Sequence, residues 1–462
     1  MFGRRTLCCL LLFLSIPAVA RQASAPSRMA PGSIVNPTTD PLHAADEVLA
    51  TMSDLLSLPV LHPIKKSVRT REQIRQYILD EEKKDRDAAK DYADQKALEK
   101  FGLIPKDYPL EDALNDILTD QIVGLYDPDH EEFYISDRAD PDALPMVMAH
   151  ELTHALQDQH FHIDAWREAA KPNDDGELAR DAVLEGAATA AMIDYLYRDQ
   201  HKGVRDIQDI DIAAFIGDVD KDPELSKAPG IIRDELLFPY AAGEIFTQHV
   251  LRATSGWKDF GEVFANPPTS TQQIMHPDLY LKHVQPVQVT LPDLSTLLPA
   301  EWKQLDANVM GEFGVQEVFS QFLGKDRAED LAPGWTGDRY AILENQRTKQ
   351  ILLVFRLDLD NEADATRFFE AYSEVLKLKD GARTNSVRGP RFFSFDTPDG
   401  SVFLRCVAKE CLNVEGTSRS FFDKITQSIG WSENPDVTPE PSEPMHRAAI
   451  LPIGNRAALS SK

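Results

Sequence analysis

Two histidines with a glutamate beside them form the most chemically specific pattern in the sequence. His150, Glu151 and His154 stand in the order H-E-x-x-H, inside a segment with helical apolar spacing. Because residues four apart stack on one helix face, the two imidazoles can bind one zinc ion, and Glu151 borders that face. Burying these three side chains in an apolar stripe with no metal ion or other partner would be costly. The pattern therefore predicts a zinc site with Glu151 as its general base.

A catalytic zinc ion also needs a third protein ligand and an open position for water. Two candidates follow the motif: His160, six residues after His154, and Glu185, on the next predicted helix. The first has the spacing of metzincins, but their motif has a glycine midway, where this chain has the helix former Gln157. Glu185 lies on an Ala-rich face, where an unpaired carboxylate is costly. We therefore expect Glu185 as the ligand, and His160 and His162 as exposed or outer residues.

A mainly helical segment with two short strands must position these side chains. Helices are predicted at residues 71–102, at about 110–122, up to about 160 across the motif, and near 177–201, 239–254 and 257–265. Strands are predicted at 124–128 and 132–136, joined by a turn. The strand Phe133 to Ser136 is expected to bind an extended peptide by β-augmentation.

The chain after residue 283 has a different residue pattern from the preceding part. Residues 284–299 contain three prolines among alternating Val and Leu, which is typical of a linker. An α+β pattern follows, with helices near 311–323, 362–377 and 418–429 and strands near 338–344, 350–358, 391–395 and 401–406. Residues 433–462 are expected to be a disordered tail rich in Pro and Glu at its start.

The N-terminus has the features of a secretory signal. Arg4 and Arg5 precede an apolar run, and Ala18-Val19-Ala20 has the small residues that a signal peptidase recognises. We therefore predict a signal peptide at 1–20, a flexible lead-in at 21–45, and a secreted or periplasmic protein with no stable membrane insertion after cleavage.

Export to an oxidising compartment would favour a disulfide between the two cysteines that lie outside the predicted signal peptide. Cys406 and Cys411 fall on two predicted strands joined by a short turn, where a disulfide or a pair of reduced thiols is expected.

Composition excludes some functions. The chain has 49 Lys and Arg against 75 Asp and Glu, a formal net charge of −26. Such a chain is repelled by phosphate, so nucleic acid and anionic membrane surfaces are disfavoured as partners.

The motif residues also carry a family resemblance. His150-Glu151-Leu152-Thr153-His154, with Glu185-Gly186 downstream, resembles the gluzincins, the zinc metallopeptidases that include thermolysin. Other stretches are similar to predicted secreted bacterial metallopeptidases of unknown substrate: Gly124-Leu125-Tyr126-Asp127-Pro128, Phe238-Pro239-Tyr240, Pro267-Pro268-Thr269-Ser270-Thr271 and His276-Pro277. Where those proteins tend to have Glu after the Ser-Thr pair, this chain has Gln272. The resemblance covers about residues 120–280, and the C-terminal part resembles an accessory module of the same proteins.

The resemblance implies the fold class and the domains. The expected class is α+β: a mostly helical, zincin-like catalytic domain with a small sheet, followed by a smaller α+β domain. The expected bounds are 46–283 for the catalytic domain with its N-terminal helical segment, 284–299 for the linker and 300–432 for the accessory domain.

The expected function is that of a secreted zinc-dependent metallopeptidase acting on a peptide or protein substrate. Zn²⁺ held by His150, His154 and Glu185 lowers the pKa of its bound water, and Glu151 takes the proton during attack on the scissile carbonyl.

A second donor to the oxyanion is needed besides zinc. His276 is the candidate, with Tyr240 and Tyr280 as alternatives, and a role for His276 in capping a helix end stays open. Asp181, one turn before Glu185, is either an acceptor for a zinc-bound imidazole or an exposed carboxylate.

Two other functions remain in view. One is a non-catalytic secreted binding protein on the same scaffold, which the intact Glu151 disfavours because a structural zinc site needs no general base. The other is a zinc amidohydrolase acting on a non-peptide amide. Oligomeric state, subsite preference, the role of the C-terminal domain and a possible inhibitory role of residues 45–105 are left open by the sequence.

Overall fold

The first part of the chain is mainly helical. The computed structural model describes residues 40–84, 86–120, 123–207, 225–381, 383–431 and 438–439. The helices up to residue 297 are α1 Pro41–Leu56, α2 Arg71–Lys84, α3 Ala88–Phe101, α4 Leu110–Asp120, α5 Leu144–Phe161, α6 Ile163–Glu168, α7 Asp174–Tyr197, α8 Gly230–Ala253, α9 Trp257–Ala265, α10 Thr271–Met275, α11 Pro277–Leu281 and α12 Leu294–Leu297. They include the predicted helix that carries the motif, which is α5.

Two predicted boundaries in this part are wrong. Residues 71–102 form two helices, because Asp87 caps a new helix by accepting hydrogen bonds from the backbone N–H groups of Ala89 and Lys90. The predicted lead-in to residue 45 is too long, since α1 begins at Pro41. Asp40 accepts from the Leu42 N–H and proline occupies the first turn, a common helix start.

Three helices form the framework around the motif. The α7 helix packs against α5 on one side and against α8 on another. Its buried positions include many small residues, among them Ala179, Ala182, Gly186, Ala187, Ala188, Ala190 and Ala191. A Cβ atom added to Gly186 would lie 2.0 Å from the carbonyl carbon of Gly243 on α8, so the two backbones are in contact at this crossing.

A three-stranded sheet lies beside these helices. Its strands are β1 Lys65–Arg69, β2 Gly124–Asp127 and β3 Glu132–Ser136, in the order β1-β3-β2. The β3 strand is parallel to β1 and antiparallel to β2, so both of its edges are paired. The predicted docking of a peptide along residues 133–136 is therefore wrong, because no free backbone edge remains on that strand.

An antiparallel sheet dominates the second part. Its strands are β4 Trp302–Asn308, β5 Trp335–Asn345, β6 Ile351–Leu359, β7 Thr384–Gly389, β8 Phe392–Thr397, β9 Gly400–Val407, β10 Glu410–Thr417 and β11 Thr438–Pro439, in the order β11-β7-β8-β9-β10-β6-β5-β4. The accompanying helices are α13 Gly311–Leu323, α14 Lys325–Leu331, α15 Glu362–Lys379 and α16 Arg419–Ser428. The fold class is α+β, as predicted.

The two parts share a core. One cluster of buried apolar side chains extends from Ile74 on α2, through Leu184 on α7, to Phe313 on α13 and Phe355 on β6. The predicted linker runs between them without regular structure up to Asp293 and then forms α12. Its Val287 N–H donates to the Thr336 carbonyl at 2.7 Å, so this segment is attached to the second sheet.

Several predictions concern the termini and the cysteines. The predicted signal peptide lies outside the described residues, as do most of the lead-in and the tail. Two residues of the predicted disordered tail, Thr438 and Pro439, pair with β7. Cys406 and Cys411 face each other on β9 and β10 and form the disulfide, with Cα atoms 4.1 Å apart. Among the described residues, no helix has the length and apolarity needed to cross a membrane.

Candidate functional site

The α5 helix presents the motif to the protein interior. His150, Glu151 and His154 each have 0% of their surface exposed. The helix spans Leu144–Phe161, so all three lie well inside regular helical structure. The Nε2 atoms of the two histidines are 3.0 Å apart, as the four-residue spacing predicts.

Glu185 on α7 completes the cluster. Its Oε2 lies 3.1 Å from His150 Nε2 and 3.4 Å from His154 Nε2, and the side chain is 2% exposed. The three residues form a group that could hold a metal ion. His160, the rival third ligand, places its Nε2 2.8 Å from the Pro59 carbonyl oxygen and is absent from this group.

Glu151 is held by the edge of the small sheet. Its Oε2 accepts a hydrogen bond of 2.8 Å from the backbone N–H of Tyr126 on β2. Its Oε1 is buried and has no hydrogen-bond partner among the described residues. Burial raises the pKa of Glu151 to about 8. The carboxyl group is thus oriented through one of its two oxygens.

The electrostatics of the cluster follow from its burial. Desolvation lowers the pKa of His150 to about 4. Burial also acts to lower the pKa of His154, but the nearby Glu185 carboxylate outweighs it, and this pKa is raised. For Glu185 burial acts to raise the pKa, but the two histidines outweigh it, and its pKa is lowered. His150 Nδ1 and Glu185 Oε1 are buried without a hydrogen-bond partner among the described residues.

Gln157 is a site residue that the sequence analysis treated only as a helix former. Its Oε1 lies 3.0 Å from Nδ1 of His154. From the sequence, Asp181 was a candidate acceptor for a zinc-bound imidazole. Its Oδ1 instead lies 3.7 Å from Nη1 of Arg167. This contact could have been predicted from the sequence, because Gln157 stands three residues after His154 and so lies on the same helix face.

The three candidate donors to an oxyanion have different surroundings. Nε2 of His276 lies 2.7 Å from Oε1 of Glu312 on α13. The Tyr280 hydroxyl donates to the Asn266 carbonyl at 2.8 Å. The ring of Tyr240 stacks on His150, with centroids 6.1 Å apart and planes inclined by 25°. The contacts of the described residues thus place Tyr240 against the cluster, whereas His276 is paired with a residue of the second part.

A second acidic group lies between the two parts. Asp94, Asp174 and Asp306 come within metal-binding distance of one another. The Lys90 ammonium contacts all three carboxylates, at 3.0 Å from Asp174 and 3.6 Å from Asp306. A cation of the protein thus already contacts every carboxylate, and the group joins α3, α7 and β4 as an ion-pair network.

Comparisons with known proteins reach only the second part of the chain. A family model described as a domain of unknown function (DUF8575) matches residues 298–420. No curated protein and no solved structure matches the chain. The matched segment begins directly after α12 and ends at the start of α16, so it excludes His150, His154 and Glu185.

Proposed function

We propose that the protein is a secreted zinc metallopeptidase of the gluzincin type, which hydrolyses peptide bonds. The observation that carries this proposal is the buried triangle of His150 Nε2, His154 Nε2 and Glu185 Oε2, with edges of 3.0, 3.1 and 3.4 Å. Next to it lies Glu151, with one carboxyl oxygen held and the other unpartnered.

The donor set fits zinc. Two neutral imidazoles and one carboxylate are a common catalytic zinc set, with zinc–ligand distances of about 2.0 to 2.2 Å. Tetrahedral geometry at such distances separates neighbouring ligand atoms by about 3.3 Å. The observed edges bracket that value, and the unpartnered Oε1 of Glu185 adds a further acceptor.

Each residue has a defined task in the proposed reaction. Zinc bound here would act as a Lewis acid and lower the pKa of a water molecule toward neutrality. Glu151 takes a proton at Oε1 and returns it to the leaving amine, while the Tyr126 N–H holds Oε2 in place. Tyr240, stacked on His150, is the better-placed second donor to the oxyanion. His276 is the candidate from the sequence, but its Nε2 lies within hydrogen-bonding distance of Oε1 of Glu312.

Secretion is part of the proposal. The charged, apolar and small-residue order of positions 1–20 supports export. The Cys406–Cys411 disulfide supports an oxidising compartment, where such bonds persist.

One observation favours a second candidate, a non-catalytic protein with a structural zinc site. His150, Glu151, His154 and Glu185 are at most 2% exposed, and a peptide bond must reach the metal ion to be cleaved. Against this candidate stands Glu151, because a structural site needs no carboxyl group with an unpartnered oxygen beside its ligands.

The decisive experiment combines metal analysis with hydrolysis. The purified full chain should contain one zinc ion, and it should digest casein or members of a peptide library until a chelator is added. Glu151→Gln keeps the ligands and the Tyr126 contact but removes the base. We expect it to retain zinc and to lose activity by about 100-fold or more.

Each outcome bears on one claim. Full hydrolysis by Glu151→Gln would refute the proposed mechanism. Zinc without hydrolysis of any peptide would support the structural-site candidate. Cleavage of small amides but not of peptides would support an amidohydrolase instead.

A further inference from the structure

Gln157 contacts the imidazole of His154 on the side away from the ligand triangle. Its Oε1 lies 3.0 Å from His154 Nδ1, and its Nε2 lies 3.5 Å from the Leu184 carbonyl oxygen. A carbonyl oxygen can only accept a hydrogen bond, so the NH₂ group of the amide must face Leu184. The opposite amide orientation would place two acceptors against each other there. Oε1 of Gln157 must therefore face His154.

The amide orientation determines the tautomer of the imidazole. Because Oε1 only accepts, Nδ1 of His154 must carry a proton, and in the neutral imidazole Nε2 then has its lone pair free. Nε2 is the atom that lies 3.0 Å from His150 Nε2 and 3.4 Å from Glu185 Oε2. We propose that Gln157 is a positioning residue, which holds His154 in the Nδ1–H tautomer with its lone pair directed at the metal ion.

The same side chain joins the two helices that carry the ligands. Gln157 lies on α5, and its second contact, Leu184, directly precedes the ligand Glu185 on α7. Gln157 is 2% exposed, so water does not compete for either bond. His150 has no equivalent, since its Nδ1 has no hydrogen-bond partner among the described residues. Among the described residues, Gln157 thus orients the imidazole of His154, and that of His150 has no such contact at Nδ1.

The role predicts a specific pattern of zinc affinities, and it rests on the proposed function because zinc is the ion assumed. Gln157→Met keeps the unbranched shape and removes the acceptor, so zinc affinity should fall by about 10- to 100-fold. Gln157→Glu keeps an oxygen facing Nδ1 but places its second oxygen toward the Leu184 carbonyl oxygen, so its affinity should lie above that of Gln157→Met and close to that of the wild type. Competition between the full-length protein and a chelator of known zinc affinity measures both values.

A matched control separates positioning from general stability. Gln159 lies on the same helix, is 8% exposed, and bonds the Leu61 N–H at 2.8 Å and the His62 carbonyl at 2.9 Å. Gln159→Met removes a comparable buried amide without touching a ligand. It should lower the thermal midpoint but leave zinc affinity unchanged.

A metal-independent measurement reports the tautomer itself. In metal-free protein with ¹⁵N-labelled histidine, at a pH high enough for the imidazole to be neutral, long-range ¹H–¹⁵N spectra should show His154 as the Nδ1–H tautomer in the wild type and in Gln157→Glu. Gln157→Met should show a mixture.

The two proposals fail in different ways. A wild type that binds no zinc contradicts the proposed function, while the spectra still test the tautomer. Unchanged zinc affinity in Gln157→Met, or equal loss in Gln157→Glu and Gln157→Met, would overturn the positioning role, as would loss of affinity in Gln159→Met.

Discussion

At the scale of single residues, several buried polar atoms in and beside the group of His150, His154 and Glu185 lack a hydrogen-bond partner among the described residues. These atoms are Glu151 Oε1, Glu185 Oε1 and His150 Nδ1. Leaving a buried polar atom without a partner costs about 1 to 3 kcal/mol. A bound ion and its water, as proposed above, would give partners to the two carboxylate oxygens, whereas Nδ1 of His150 faces away from the ligand triangle.

Tyr240 provides the prediction at this scale. If its hydroxyl stabilises the oxyanion, Tyr240→Phe should lower kcat by about 100- to 1,000-fold with little change in KM, because the hydroxyl acts in the transition state. Steady-state kinetics on a cleaved peptide measure both constants.

The control for this prediction is Tyr195→Phe. Tyr195 is also buried, at 4% exposure, but it lies in the apolar cluster behind α5. An unchanged kcat for Tyr240→Phe together with a large loss for His276→Gln would assign the donor role to His276 instead.

At the scale of elements, the crossing of α7 and α8 connects packing to the site. Gly186 directly follows the ligand Glu185, and Gly243 lies one turn after Tyr240. A Cβ atom on Gly243 would lie 2.0 Å from the Ala182 carbonyl oxygen. The two backbones therefore approach closely beside Glu185 on α7 and Tyr240 on α8.

Gly186→Ala tests this crossing. Its Cβ atom would meet the Gly243 backbone at 2.0 Å, and a backbone cannot rotate away as a flexible side chain can. We expect the free energy of unfolding to fall by about 3 kcal/mol or more, the upper range for overpacking. Urea unfolding followed by circular dichroism measures the change.

Gly261→Ala on α9 is the matched control. Its nearest atom would be Phe161 Cζ at 3.7 Å, which is an ordinary contact. Alanine favours helix over glycine by up to about 1 kcal/mol, so this variant should be as stable as the wild type or more so. A Gly186→Ala variant of equal stability would show that the crossing can relax.

The α1 helix bears on the question of an inhibitory segment. Its buried residues, including Val48 and Met52, pack in a cluster with Met148, Leu152 and Ala155 of α5. These positions lie on the opposite side of α5 from His150 and His154. The α1 helix thus forms the core behind the motif helix and does not cover the ligand cluster.

At the scale of the whole molecule, buried carboxyl groups connect the two parts. Asp175 at the start of α7 accepts hydrogen bonds of 3.0 Å and 2.5 Å from the N–H and hydroxyl of Thr271. The Thr271 hydroxyl in turn accepts from the Phe313 N–H of α13 at 3.2 Å. Burial raises the pKa of Asp175 to about 7, and neighbouring carboxylates of Asp338 and Glu312 act in the same direction.

This raised pKa predicts how stability depends on pH. An aspartate with a pKa of 3.8 when unfolded and about 7 when folded binds more protons in the folded state between these values. The contribution of Asp175 to the free energy of unfolding is therefore fully present below pH 4. It is lost as pH rises toward 7, and the loss from this group is at most about 4 kcal/mol. Asp175→Asn should remove that loss while keeping the Oδ1 contacts to Thr271.

Thermal unfolding of the metal-free protein between pH 5 and pH 8 measures this dependence. The midpoint of Asp175→Asn should fall less over this range than that of the wild type. Asp278→Asn, at a side chain that is 73% exposed, should follow the wild type. Parallel curves for the wild type and Asp175→Asn would show that Asp175 does not titrate in this range.

Features that depend on local spacing could be predicted from the sequence. The relation of His150 to His154 follows from the helical repeat, and the Cys406–Cys411 bond joins residues only five apart on one hairpin. The α+β class and most elements of the second part follow from apolar periodicity. The prediction that a peptide docks on a free strand edge at residues 133–136 is wrong, because that edge is paired with β1, which lies far away in sequence.

What the sequence determined by itself is the motif and its helix, since composition and period are properties of short segments, while Glu185 as the third ligand stays a prediction. Only the tertiary structure decided which distant groups surround it. Glu185 is 35 residues from His150, and the Tyr126 N–H that holds Glu151 is 25 residues away. Packing also brought Tyr240 to His150 and paired His276 with Glu312. Such contacts depend on how helices and sheets pack together, and no local pattern encodes that packing.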